Sequence, residues 1–282
     1  GAVRGAGGRV SRPTVFAFLL LCCWVANAYE LRGEWKQGSV LVGKAEPGTR
    51  MWFKGVELRL SAQGDFVFGL DRDEGSEVWL KVQAPGAEPQ SERHPVARRD
   101  YAIQKIDGLP PDKVQPPKWA LKRIEQDSKQ IKAARAANTE QSGFAQNFIW
   151  AATGRVSGVF GSQRILNGTP KSPHNGVDVA VPEGTAIQAP ADGLVTLAVV
   201  DMYYTGGTVV IDHGHGLSSI LIHLSKLIAK PGQAVKQGEV VALSGMTGRA
   251  TGPHLHWGMG WLGTRVDPQT LLPPMAGPSP PA

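Results

Sequence analysis

The chain has 282 residues, 41% of them hydrophobic and 19% charged, with a formal net charge of +6, 35 glycines and 21 prolines. This length and balance exclude a disordered or fibrous chain and leave room for one large domain or two modest ones. The glycine and proline content points to many turns, so a β-rich protein is expected.

Residues 1–28 read as a signal peptide: Arg4, Arg9 and Arg12 form a basic start, Thr14 to Val25 an apolar stretch too short to span a bilayer comfortably, and Ala26-Asn27-Ala28 a cleavage signal. Leu21 stands where a lipoprotein site would need a small residue before Cys22. Cleavage after Ala28 is expected, giving an exported chain that is not integral to the membrane. It removes three arginines and both cysteines, leaving a charge of +3 from 27 basic and 24 acidic residues. The remainder has no thiolate to hold a zinc ribbon or form a disulfide. Its mild basicity, without a matching fold, speaks against nucleic acid as a partner.

From Tyr29 to Tyr101, short apolar runs are broken by turn residues. Ser39–Gly43, Arg50–Lys54, Val56–Leu60, Phe66–Leu70 and Val78–Val82 each read as a strand, so a small N-terminal β-sandwich is expected over residues 29–105. His94 is expected to be a solvated loop residue. Residues 106–150 read as a Pro-rich linker with a helix over Lys118–Ala137 that has Pro117 as its first residue. That helix reads as a solvated connector, the alternative being an arm over a site or an anionic surface.

Strand patterning returns over residues 151–272. Ala186–Pro190 and Gly193–Ala198 flank Ala191-Asp192-Gly193 as an expected hairpin, and the Pro-rich tail, 273–282, reads as disordered. Of the seven histidines, six fall between positions 174 and 256. His174 and Asp178 are four apart in a segment running into a strand. His254 and His256 share one face if Pro253–Gly258 is extended, because side chains alternate. Imidazole with carboxylate is the donor set of catalytic zinc, where three protein groups bind and a fourth position stays open. Spacing alone does not say which of His254 and His256 holds the metal. His213 is expected to be structural and His215 exposed.

The motifs His174-Asn175-Gly176-Val177-Asp178, His223-Leu224-Ser225 and Gly252-Pro253-His254-Leu255-His256, in this order, resemble the lysostaphin/LytM-type zinc metallopeptidases. The likeness covers about residues 151–270, and residues 29–105 are similar to the small β-domain preceding the peptidase in some members. It implies an antiparallel β peptidase domain after the sandwich and helical connector, a mainly β protein, with one zinc per chain on His174, Asp178 and His256. His223 and His254 would be the unligated catalytic histidines, and Arg249 and Thr251 candidate substrate contacts. The implied reaction is attack of zinc-bound water on peptide cross-links of peptidoglycan. The expected specificity is D,D-endopeptidase, the location the periplasm of a Gram-negative bacterium, and the state a monomer. Members often carry Tyr two residues before the free histidine, where this chain has Leu221.

Two rival readings have sequence support. A non-catalytic regulator of other wall hydrolases can use the same fold after losing ligands, but all five key positions are filled here. Lys230–Glu239 with Ala189–Gly193 resembles half-motifs of lipoyl or biotin carriers, yet the chain lacks a lysine flanked by methionines at a hairpin tip.

Overall fold

The computed structural model describes residues 28–109 and 111–275. The signal-peptide reading therefore lies outside the described residues, as does the tail from residue 276. The described architecture is mainly β and antiparallel.

The N-terminal part is two small sheets face to face. One orders β1 (Tyr29–Arg32), β2 (Val40–Ala45) and β5 (Asp65–Gly69). The other orders β4 (Val56–Glu57), β3 (Arg50–Phe53), β6 (Glu77–Gln83) and β7 (Gln90–Pro95). Val78, Leu80 and Val82 alternate inward from β6 onto Met51, Phe53, Phe66 and Phe68, all buried, as period-2 patterning requires. The strand expected over Val56–Leu60 shrinks to two residues. Lys54 and Gly55 both take positive φ in the hairpin turn, and Leu58 leaves the ladder to enter the core. His94 is not in a loop: it lies on β7 and stacks on Trp35 at 4.0 Å between ring centroids.

The linker is structured. Strand β8 (Ile103–Ile106) pairs in parallel with β10 (Gln163–Leu166), which also pairs with β11 (Thr169–Pro170). A short helix, α1 (Pro111–Val114), follows, and Leu109, Val114 and Leu166 make a small apolar cluster beneath it. Helix α2 (Lys118–Arg135) starts after Pro117, which is its N-cap rather than its first residue. The helix is not merely solvated, since Ile131 and Ala134 pack on Val210, Ile220 and Ile222.

The C-terminal sheet runs β17 (Ala234–Val235), β14 (Gly193–Val199), β15 (Gly207–Gly214), β16 (Leu217–Leu227), β19 (His254–Trp261), β12 (Gly176–Ala180) and β9 (Arg155–Gly158). Strands β13 (Ala186–Gln188), β18 (Val240–Ser244) and β20 (Thr264–Val266) attach beside it. The expected hairpin across Ala191-Asp192-Gly193 does not form: β13 pairs with β18, and β14 pairs with β15. Ala189 and Ala191 are fully buried, and Asp192 is bonded by Lys236 and the Gln237 amide, so the segment crosses between strands instead of turning back.

One face of this sheet, bearing Val177, Val179, Leu221, Leu255 and Trp257, joins the same core as the sandwich. Phe53 meets Trp261 at 6.1 Å, and Arg99 pairs with Asp267 at 2.8 Å across that junction. The start of the expected tail is tied down: Trp150 donates to the Pro273 carbonyl, and the Gly154 amide to Met275 Sδ.

Candidate metal centre

On the opposite face, three adjacent strands present one row of side chains. Asp178 on β12 lies across from His256 on β19, which lies across from Ile222 on β16, and directly opposed residues in antiparallel strands point the same way. His174, in the loop entering β12, closes the cluster. Its Nε2 is 3.0 Å from Asp178 Oδ1 and 2.9 Å from His256 Nδ1, and His256 Nδ1 is 2.7 Å from the same Oδ1. Gly158 on β9 makes room for this, because a Cβ there would sit 2.4 Å from Asp178 Oδ2 and 3.1 Å from His174 Cε1.

The donor chemistry fits a divalent metal. His174 Nδ1 lies 3.0 Å from the Val159 carbonyl, which can only accept, so a neutral ring carries its proton there and turns a lone pair toward the cluster. Fixing a ligating imidazole through its other nitrogen is the usual arrangement in metal sites. A His174 lone pair and a carboxylate oxygen then converge with His256 Nδ1, which in a neutral ring brings at most one N–H to serve them both. His174, Asp178 and His256 thus form a group able to hold a metal ion. Burial would raise the Asp178 carboxyl, but its close contacts with the His174 and His256 rings outweigh it and hold the group well below the usual carboxylate range. Burial pushes the His256 imidazole down to about 4, opposed by Asp178.

Two further histidines border the cluster. His223 sits where β16 changes partner: residues up to Ile222 pair with β19, and those from Leu224 pair with β18. Strict alternation would send its ring to the core after Ile222. It adopts φ of 64° instead, which breaks the alternation and brings the ring to 4.8 Å from His254 and 6.3 Å from His256. His223 Nδ1 bonds the Thr247 carbonyl, and His254 Nδ1 the Gly252 carbonyl, both at 2.8 Å. Each neutral ring therefore turns an Nε2 lone pair outward. Burial, with nearby His254 and His256, pushes His223 down to about 3. Leu221 is fully buried opposite Trp257 on the core face, so its side chain is apolar in an apolar place.

Two depressions of about 320 and 340 Å³ share Arg164, Leu166, His223 and Arg249 in their walls. Thr251 lines the first, and Tyr204 the second. Arg164, which no sequence motif marks, donates to Asp178 Oδ2 at 3.2 Å and leaves Oδ1 to the histidines. Gln104, at the end of the N-terminal part, and Ile106 and Leu109 of the linker line the first depression, and Val114 and Pro116 of the linker the second. His213 is fully buried, with its ring nitrogens on the Asp192 carbonyl and Ser219 Oγ at 2.8 Å. His215 is not exposed: it is buried against Phe144, ring centroids 4.4 Å apart, because the segment around Gly143 covers the turn.

Residues 172–268 match the profile of Peptidase family M23. The chain is 39% identical over 162 residues to an uncharacterized metalloprotease of Haemophilus influenzae, covering 54% of this chain and 34% of that one. It is 41% identical over 123 residues to the peptidoglycan DD-endopeptidase ShyA of Vibrio cholerae, covering 43% of this chain and 28% of that one. The matches thus span about a third or less of these curated relatives. A crystal structure assigned to peptidase M23 from Pseudomonas aeruginosa superposes with a TM-score of 0.64 at 30% identity, covering 84% of this chain and 94% of that one.

Proposed function

Because the chain belongs to peptidase family M23, we propose that it is a zinc metalloendopeptidase that hydrolyses peptide cross-links of bacterial peptidoglycan, with D,D-endopeptidase specificity. The observation that carries this reading is the convergence of His174, Asp178 and His256 on one point, with His223 and His254 beside it. His174, Asp178 and His256 hold the zinc, one ion per chain. Bound there, zinc supplies a Lewis acid that activates water and polarises the scissile carbonyl.

The remaining chemistry belongs to the protein. With Nδ1 of His223 and of His254 held by backbone carbonyls, each ring exchanges protons at Nε2. One takes the proton of the attacking water and returns it to the leaving amine. The other hydrogen-bonds the developing oxyanion through Nε2. Arg249 and Thr251 contact the substrate from the loop before β19. Residues 29–105 act as a β-domain and 106–150 as a structured linker to a peptidase unit of residues 151–272. The chain works as an exported monomer in the periplasm, on peptidoglycan stems and cross-links.

The test is digestion of purified peptidoglycan by the zinc-loaded chain, with and without chelator, followed by identification of the muropeptides. Cross-linked dimers should fall to monomers only without chelator. Unchanged muropeptides from a zinc-loaded protein sink the reading.

A further inference from the structure

The sheet face that bears the metal cluster is covered farther along its strands by α2, and a second polar cluster lies where that helix ends. Ser218 on β16, Gly260 on β19 and Arg265 on β20 are directly opposed neighbours, so they share one face. Arg135, in the last turn of α2, lays its guanidinium over the middle of this row: a Cβ at Gly260 would overlap Arg135 Nη2.

The row lacks acceptors. Arg135 is only 6% exposed, yet its Nη1 and Nη2 have no hydrogen-bond partner among the described residues, and neither does the buried Oγ of Ser218. Burial lowers the Arg265 guanidinium, with no carboxylate beside it to offset the shift. Lys132, Arg135 and Arg265 line a cavity of about 540 Å³ between the end of α2 and the β19–β20 turn, and among the described residues no acid does so. A buried charge whose donors are unpaired is costly, and the cost is relieved when an anion enters. Guanidinium forks match carboxylate and phosphate oxygens by paired, charge-assisted bonds. Three cations and a hydroxyl outnumber the two oxygens of a carboxylate and suit the three free oxygens of a phosphate group.

We infer that this cavity is a phosphate-binding site, in which Arg135 and Arg265 grip the phosphate group and Lys132 adds charge. Turning the end of the Arg135 side chain lifts its fork off Gly260 into the cavity that the residue already lines. The bound group ties the end of α2 to the β19–β20 turn. None of the cavity's residues lines either depression at the metal cluster, so the site stands apart from the peptidase reading.

The experiment titrates inorganic phosphate into the full zinc-loaded chain by calorimetry at constant ionic strength, and sediments the same chain with vesicles of phosphatidylglycerol or of phosphatidylcholine. Arg135→Gln and Arg265→Gln should each weaken phosphate binding about 10–100-fold, the range expected for losing a hydrogen bond to a charged group. Arg265 is half-buried, so its substitution tests the site even if the Arg135 variant does not fold. Sedimentation with phosphatidylglycerol alone, reversed by inorganic phosphate and lost in Arg265→Gln, makes a lipid headgroup the source of the phosphate. Phosphate binding without sedimentation makes a soluble phosphate the ligand. Phosphate affinity unchanged in the folded variants, as for an ion held by the zinc, overturns the inference, and so does binding of neither inorganic phosphate nor phosphatidylglycerol.

Discussion

His223 and His254 stand with ring centroids 4.8 Å apart on two neighbouring strands, and each gives its Nδ1 to a backbone carbonyl. Neither ring is among the convergent metal donors. Their removal should therefore damage turnover and spare the metal. His223→Ala and His254→Ala should each lower kcat by about 10²–10⁴-fold, the usual contribution of a positioned proton-transfer group. Zinc content of the purified variants should stay near one per chain. Full turnover by either would remove that histidine from the chemistry.

Gly158 offers a way to disturb the metal without touching a ligand. Its missing side chain leaves the space into which Asp178 Oδ2 and His174 fit. Gly158→Ala should displace the carboxylate and weaken zinc binding by about 10–100-fold, as disturbed support of metal ligands commonly does. Competition with a chelator of known affinity measures it. An unchanged zinc affinity would mean that the β9 backbone yields instead.

Acid should destabilise the fold partly through His213, whose burial holds it down at about 4 against an ordinary 6.5. The unfolded chain takes up this proton below about pH 6.5, whereas the folded chain refuses it until about pH 4. Stability from this group is thus complete above pH 6.5 and is lost as pH falls toward 4, by at most about 3 kcal/mol. His213→Gln should show a smaller loss between pH 7 and pH 4.5 in urea unfolding of the metal-free protein. Equal losses in both proteins would remove His213 from the acid sensitivity of the fold.

The candidate site was readable in sequence where local spacing carries it. His174 with Asp178 and His254 with His256 need only one loop-to-strand entry and one alternating strand, and the structure brings both pairs to one sheet face. What local spacing could not carry was pairing between distant segments. Ala186–Gln188 resembled half a hairpin, but its partner is β18, more than fifty residues on. The stretch running into the linker carries no local sign of a parallel partner, yet Ile103–Ile106 pairs with Gln163–Leu166. Arg164 enters the groove only through such a long-range pairing. His215 looked exposed beside glycines, and Phe144, some seventy residues earlier, buries it.

His223 holds a backbone conformation, φ of 64°, that costs a non-glycine residue roughly 1–2 kcal/mol. Its imidazole reaches His254 because of that conformation, so fold stability and turnover oppose each other at one position. His223→Gly should raise the melting temperature of the metal-free chain while abolishing the proton relay, and scanning calorimetry beside an activity assay would show both. Anyone selecting this chain for heat resistance alone should see glycine or asparagine take over position 223. A thermostable catalyst has to be sought with that codon held fixed.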